Sequence, residues 1–594
     1  MKLVVPYVYE LREVDARMVR LAEFLGIPCG TCALEDLTPH PEFLERSLPD
    51  GRLCLAVNPR VLQDWTGREH VSTELIDYLV SRFTNLLVYG LSADPFDSEL
   101  VAALSRGMFK SVEAIEPENS PYVVAEDARD ICEAFSGLSF GSANPANDHV
   151  LTMGLHHAAV RKLISIGGRP FMATVKSKRA EILFIASNDV VDVNSQVGHA
   201  PLIEYFSRFV PQAMALRHVA DDECWRPGKP YASVVIDDPL LQKNYGFLNF
   251  DSLLRLAERN NFHAAIAFIP HNFRRNSLRT ARMFVENPKR LSICFHGNDH
   301  TDGEFGTTNP TLINSLLRVA EGRMSSHLES TGLPCDRVMV FPQGKFSVEA
   351  MRALKSRNFY AAVNTIPYPV QQVVPLTIGD LAQPAVLKYG DFPLFQRKSI
   401  RNIQSQDIAF DLFFGRPVLI VEHHDLFEHP EPLAEIASKI NSLAPQILWS
   451  NLATLACNSI LTRRTPDGTQ HIRAYSGTVR LSNDSEFSQL YSIEWVSSRS
   501  DSLAEQVLMD GSPYLGIRIY DAGLRISVEL PPGSSRTFTS VHRNREIDIR
   551  GLGLRWKARA FLRRRLSEIR DNYLSKNRPL LLTAKAFQQR FLKV

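Results

Sequence analysis

The middle of the chain repeats one pattern: a short apolar run, then a segment whose apolar residues recur at helical spacing. Tyr231–Ile236, Ala264–Ile269, Leu291–Phe295, Val338–Phe341, Tyr360–Asn364 and Pro417–Glu422 read as buried strands. Phe250–Asn260, Leu278–Glu286, Pro310–Gly322 and beyond, Ser347–Arg357 and Pro430–Leu443 read as helices. In Phe250–Asn260 the residues Leu253, Leu254, Leu256 and Ala257 gather on one side. Strands without polar alternation are those covered on both faces, as in parallel sheets. Over residues 231–457 the count of units predicts a distorted β/α barrel rather than a small open sheet.

Residues 1–140 alternate in the same way. Lys2–Val8, Leu53–Val57 and Asn85–Tyr89 read as strands, and Glu13–Leu25, Thr73–Phe83 and Pro95–Ser105 as helices. This predicts a doubly wound α/β region, without a GxGxxG or a P-loop. Residues 141–218 read as its β-rich extension. A hairpin joins Arg161–Ile166 to Pro170–Val175 through Gly167-Gly168, and Glu181–Ala186 follows as a strand. Val219–Pro230, rich in Asp and Pro, reads as a linker. After Thr465 the period changes to two, in Gly477–Ser482, Tyr491–Val496, Gly516–Tyr520 and Leu524–Leu530. That spacing predicts a β-sandwich over 465–545, followed by a basic helical tail over 546–594.

Length and charge add three constraints. A chain of 594 residues exceeds what one core supports, so several domains are expected. The net charge of +2 gives no overall signal for nucleic acid. From Arg543 onward, however, 15 Lys/Arg face 4 Asp/Glu, so the basic character is local to the tail. Eight cysteines show no disulfide framework. Cys29-Gly-Thr-Cys32 has no second pair at zinc-finger spacing, and His156, His157 and His199 lie outside any metal spacing and read as structural. The first residues carry only a five-residue apolar run before charges begin, which argues against a signal peptide. The expectation is a cytoplasmic protein.

The chemistry gathers at two strand ends. Tyr231–Ile236 runs into Asp237 and Asp238, and Leu291–Phe295 into His296 and His300. Adjacent carboxylates on an extended chain point different ways, so one can hold a metal while the other takes a proton from water. Two imidazoles four apart can meet one ion if their loop takes a helical turn. One Asp and two His make a three-ligand set that leaves positions open for water and substrate.

These residues resemble the polysaccharide deacetylases with NodB homology, carbohydrate esterase family 4. Asp237-Asp238 matches the family's TFDD element, and His296-Gly-Asn-Asp-His300-Thr301 its HxxxH[S/T] element. Phe341-Pro342-Gln343-Gly344 resembles its third element, and the strand ending in His423-His424-Asp425 its last. The resemblance implies metal-dependent removal of N-acetyl groups from a sugar or glycan precursor. Asp237 would be the base, and Asp238, His296 and His300 would hold a divalent metal, zinc by the family's habit. His424 or its neighbour His423 would protonate the leaving amine. Pro239 stands where the family has Gly. The third element lacks the Arg that steadies the base, with Val340 and Phe341 there instead, which puts turnover and substrate at variance with the family's norm unless Arg397 or Lys345 substitutes.

An alternative reading is a catalytically inactive barrel that binds carbohydrate or assists assembly in polysaccharide production. The tail adds a further expectation. Arg559, Arg563, Arg564, Arg565 and Arg570 beside Trp556, Phe561, Leu562 and Leu566 suit peripheral contact with the inner face of an anionic membrane.

Overall fold

The computed structural model describes residues 2–34, 53–66, 70–115, 120–155, 157–198, 200–301, 303–371, 374–496, 506–520, 523–541, 553–574 and 576. His156, His199 and the tail beyond residue 576 lie outside them.

The apolar runs of the middle region form one parallel sheet. Its order is Leu394–Gln396, Ala361–Asn364, Asp336–Val340, Leu291–His296, Ala264–Phe268, Tyr231–Asp237, Val418–Glu422 and Lys398–Ser399. Leu448–Trp449 pairs beside the start of Tyr231–Asp237. The two outermost strands are separated in sequence by Arg397 alone, so the sheet curls until its ends nearly meet. The result is a nearly closed, distorted β/α barrel. Val235, Ala265, Ala267, Cys294, Val340 and Leu419 fill its inside. Val234, Ile236, Ile266 and Ile420 face the surrounding helices. Each strand serves two cores, which is why its sequence shows no polar alternation.

Polar caps start the helices where the sequence changes period. The side chains of Asn249, Ser277, Asn309 and Ser347 accept the backbone N–H three residues on. Pro310 occupies the first turn of Pro310–Thr331, where its missing N–H costs nothing.

The N-terminal sheet runs Cys29–Ala33, Lys2–Tyr7, Leu53–Val57, Asn85–Val88, Ala180–Ile185, Arg169–Ser177, Arg161–Ile166, Pro121–Val124 and Ser139–Ser142. The first five are parallel neighbours, and the rest join antiparallel. The strands before residue 140 and the hairpin after it therefore share one sheet. Phe206–Ala220, in a stretch read as β-rich and linker, is a helix buried on nearly every side, with Pro211 inside it. Arg226–Pro227, read as linker, pairs with Ile460–Arg464 at the edge of the C-terminal sheets. Those two sheets enclose Ile472, Val479, Leu481, Ile493, Val507, Ile526 and Phe538, making the expected sandwich. Leu554–Ile569 follows as a helix. No described helix is long and apolar enough to cross a membrane.

One histidine, just before the strand Ala264–Phe268, makes a pH prediction. His263 is fully buried, with Nδ1 3.1 Å from the Lys289 carbonyl and Nε2 2.9 Å from Ser292 Oγ. Burial lowers its pKa to about 4. The unfolded chain titrates near 6.5, so folding weakens proton binding here. The stability this confers is complete above pH 6.5 and is lost as pH falls through 4. In His263→Gln, the stability difference between pH 7 and pH 4 should narrow by about 3 kcal/mol, measured by urea unfolding. An unchanged difference would show that the ring protonates in the fold at no cost.

Candidate active site

Strand alternation sets the site. Val235 lies inside the barrel, so Asp237, two residues on, also turns inward at the mouth. Asp238 then leaves the strand with φ of 81°. On Leu291–His296 the same alternation turns Cys294 and His296 inward. His296 Nε2 lies 3.5 Å and His300 Nε2 3.3 Å from Asp238 Oδ1. Ligand atoms of the three residues all fall within 4.8 Å of one another.

The loop from 297 to 300 makes no helical turn. Left-handed backbone at Gly297 (φ 62°) and His300 (φ 57°) folds the second imidazole back to the first. A Cβ at 297 would stand 2.3 Å from Glu304 Oε1 and 2.4 Å from Pro342 Cγ, so only glycine fits there. Buried Glu304 gathers the loop, accepting backbone N–H groups of Asn298 (2.6 Å), Asp299 (3.1 Å) and His300 (3.0 Å). Burial nevertheless raises the pKa of Glu304 to about 7.

Two features suit this trio to a metal ion. His296 Nδ1 lies 3.0 Å from the Val340 carbonyl, which fixes the proton there and leaves the Nε2 lone pair facing Asp238. Asp238 Oδ1 is buried without a hydrogen-bond partner among the described residues. Burial works to raise the Asp238 carboxyl, but His300, His296 and Arg564 together hold it well below the usual range. Burial holds the His300 ring neutral, with a pKa of about 4. One carboxylate, two neutral-capable imidazoles and open positions are a catalytic type of ligand set.

Asp237 takes no place in the trio. Its two oxygens accept from Arg397 Nη1 (2.6 Å) and Nη2 (2.7 Å) in a buried bidentate pair. Burial alone would raise this carboxyl; Arg397 and His296 lower it below its ordinary value. Of the two basic residues expected to replace the third-element arginine, Arg397 meets Asp237. Lys345 instead lines a cavity of about 460 Å³ with Thr301, Glu304, Trp556 and Arg559.

The last element places its histidines apart. Ile236 registers with Glu422, and Leu419 points into the barrel. His423 therefore shares the inner side with Asp237, whose carboxyl its charge helps to lower. His424 is buried against Tyr245, and its Nε2 lies 3.6 Å from Asp571 Oδ1.

Asp571 belongs to an element that the sequence placed elsewhere. Leu554–Ile569 and the turn Arg570–Leu574 lie across the barrel mouth. Trp556 Nε1 donates to Asp299 Oδ2 (2.8 Å), on the loop between His296 and His300. Arg275 pairs with Glu568. Tyr245 OH donates to Asp571 Oδ2 (2.7 Å), and Gly246 N to Asn572 Oδ1 (2.9 Å). A Cβ on Gly246 would strike His424 Nδ1 at 2.2 Å, so this close approach needs glycine. Trp556, Ala560, Arg564, Glu568 and Asp571 recur at helical spacing, the only hint in the sequence that one face turns inward.

No family model and no curated protein matches the chain. Solved structures do. The carbohydrate deacetylase Agd3 is 9% identical, with 91% of this chain and 98% of that one covered, at a TM-score of 0.48. A family 4 acetyl xylan esterase from Clostridium thermocellum, solved with a cobalt ion, is 12% identical over 38% of this chain and 89% of its own, at 0.24. The carbohydrate esterase domain of a multidomain xylanase from the hindgut metagenome of Trinervitermes trinervoides is 14% identical over 38% and 90%, at 0.24. The likeness is to carbohydrate deacetylases and esterases.

The Arg397 pair yields a stability prediction. Arg397→Ala leaves a carboxylate buried without its counter-charge, and such losses cost about 3–5 kcal/mol. Thermal unfolding at pH 7 should show a drop of that order. The loss should shrink when Asp237→Asn is added, because the charge left stranded is then gone.

Proposed function

We propose that the protein is a metal-dependent hydrolase that removes N-acetyl groups from a sugar or glycan precursor. One observation carries the reading: Asp238, His296 and His300 converge within 4.8 Å while Asp237, ionised and held by Arg397, stands beside them unused. A divalent ion at the trio, zinc by the balance of nitrogen and oxygen ligands, would polarise the acyl carbonyl and acidify water. The chain's own residues account for the proton movements. Asp237 takes a proton from the attacking water as its oxygen bonds to the carbonyl carbon. The carbonyl π pair moves onto oxygen and returns as the carbon–nitrogen bond breaks. His423, on the same inner side as Asp237, gives the nitrogen its proton, and acetate and the free amine leave. His424 holds the helix across the mouth through Asp571.

A missing third-element arginine would favour the inactive-barrel reading. Arg397 supplies that charge from the barrel's closing strands, which favours the enzyme.

Acetate release from a panel of N-acetylated sugars, with and without chelator, tests the reading. Activity that chelator abolishes and zinc restores is expected, and acetate release that persists without metal would count against it. Asp237→Asn should keep bound metal yet lose turnover by about 100-fold or more. His296→Ala should lose most bound metal, read by elemental analysis, without unfolding. Full stoichiometric metal in that variant would remove the ligand assignment.

A cytoplasmic location at an anionic membrane face is part of the same proposal. Phe561, Leu562 and Leu566 are exposed on the outer side of the mouth helix, with Arg565 beside them. Cosedimentation of the full chain with phosphatidylserine vesicles should fall with salt and with Phe561→Ser/Leu562→Ser. Binding that neither change alters would place the contact elsewhere.

A further inference from the structure

The helix across the mouth brings one cation into the site. Arg564 lies midway between the Trp556–Asp299 bond and the Asp571–Tyr245 bond, on the inward face. It is 4% exposed. Its Nε and Nη1 have no hydrogen-bond partner among the described residues. The guanidinium is close enough to act on Asp238, His300 and Tyr245. A buried guanidinium with open donors is costly. It is explained most simply if those donors are reserved for an acceptor that arrives with the substrate.

The bonds around it locate that acceptor. Trp556, Glu568, Asp571 and Asn572 anchor the helix to loops that leave three adjacent strands, those ending in Asp237, Phe268 and His296. Arg564 is thereby held at the mouth, buried and near enough to act on Asp238 and His300. A second cation would be repelled there, so the group that fits between Arg564 and the trio is an anion, or an oxygen becoming one.

We propose that Arg564 is a catalytic residue that donates hydrogen bonds to the acyl oxygen as it becomes an oxyanion, and afterwards to the acetate product. The proposal rests on the deacetylase reading above. As the water oxygen bonds to the carbonyl carbon, the carbonyl π pair moves onto the acyl oxygen, where the Arg564 donors meet it. When the carbon–nitrogen bond breaks, that pair returns to carbon and the nitrogen leaves with a proton from His423. The acetic acid formed passes its remaining proton to the deprotonated His423, Asp237 releases its proton to solvent, and the acetate then carries a full charge on the same donors. Interactions aimed at the charge that develops in the transition state raise kcat more than they lower KM.

The test uses the full chain, loaded with zinc, as wild type, Arg564→Gln and Arg564→Lys. Arg564→Gln should lower kcat about 100-fold, the cost of losing an oxyanion donor, with KM and zinc stoichiometry little changed. Its affinity for sodium acetate, titrated by calorimetry, should fall at least about tenfold, and Arg564→Lys should recover part of both losses. A kcat within threefold of wild type with unaltered acetate affinity would overturn the proposal. A rise in kcat would overturn it too, by making the helix a plug. If wild type releases no acetate from any sugar, the deacetylase reading fails, and the calorimetric titration still judges Arg564: equal acetate binding by wild type and Arg564→Gln ends the idea. Circular dichroism of each variant separates these outcomes from misfolding, with Arg564→Lys as the conservative control.

Discussion

The pair between Asp237 and Arg397 is where architecture and chemistry meet. Asp237 ends the sixth of the eight strands in the barrel sheet, and Arg397 sits between the two strands at its ends. The bond ties the seam to the barrel strand that comes first in sequence. Two buried charges can coexist there because the geometry is bidentate and each desolvated group meets the other. The same pairing keeps Asp237 ionised in a place where burial alone would neutralise it. Its neighbour Asp238 turns, through left-handed backbone, towards the two imidazoles.

Much of this was legible in the sequence, and the reasons are physical. Unbroken apolar runs in Val234–Ile236 and Leu291–Phe295 could only be strands covered on both sides. Carboxylates and imidazoles at their ends could only be at the mouth. The resemblance of Asp237-Asp238 and His296–Thr301 to known deacetylase elements agreed with that placement. The loop geometry was not legible. A helical turn is the one route the sequence offers for His296 and His300 to meet one ion, but Glu304 gathers the backbone N–H groups and left-handed residues make the bend. Arg397 could be named as a candidate, yet nothing local says that a residue 160 positions on would meet Asp237.

Two helices mark the limits of pattern reading in opposite ways. Phe206–Ala220 is buried almost all round, so it has no polar stripe to give a helical period, and Pro211 reads as a breaker. Leu554–Ile569 has abundant charge, and a charged segment reads as a solvated face. Its inward side is set by partners more than two hundred residues away, Asp299, Tyr245 and Arg275, and that information is not periodic. Arg564 illustrates the difference: in sequence it is one of three consecutive arginines, in the fold it is the buried one.

The seam of the barrel has a consequence beyond the site. Leu394–Gln396 and Lys398–Ser399 are the outer strands of the same sheet, and the chain passes from one to the other in a single residue. Arg397 N donates to the Asn364 carbonyl (3.0 Å), so even that step keeps its backbone paired. An open parallel sheet of this size would present two rows of unpaired amides and carbonyls, templates onto which another chain could add a strand. Here the rims are two- and three-residue strands brought face to face around a buried charge pair. The arrangement that holds Asp237 in place also leaves little free border for intermolecular β-pairing, so a chain that loses this closure risks self-association.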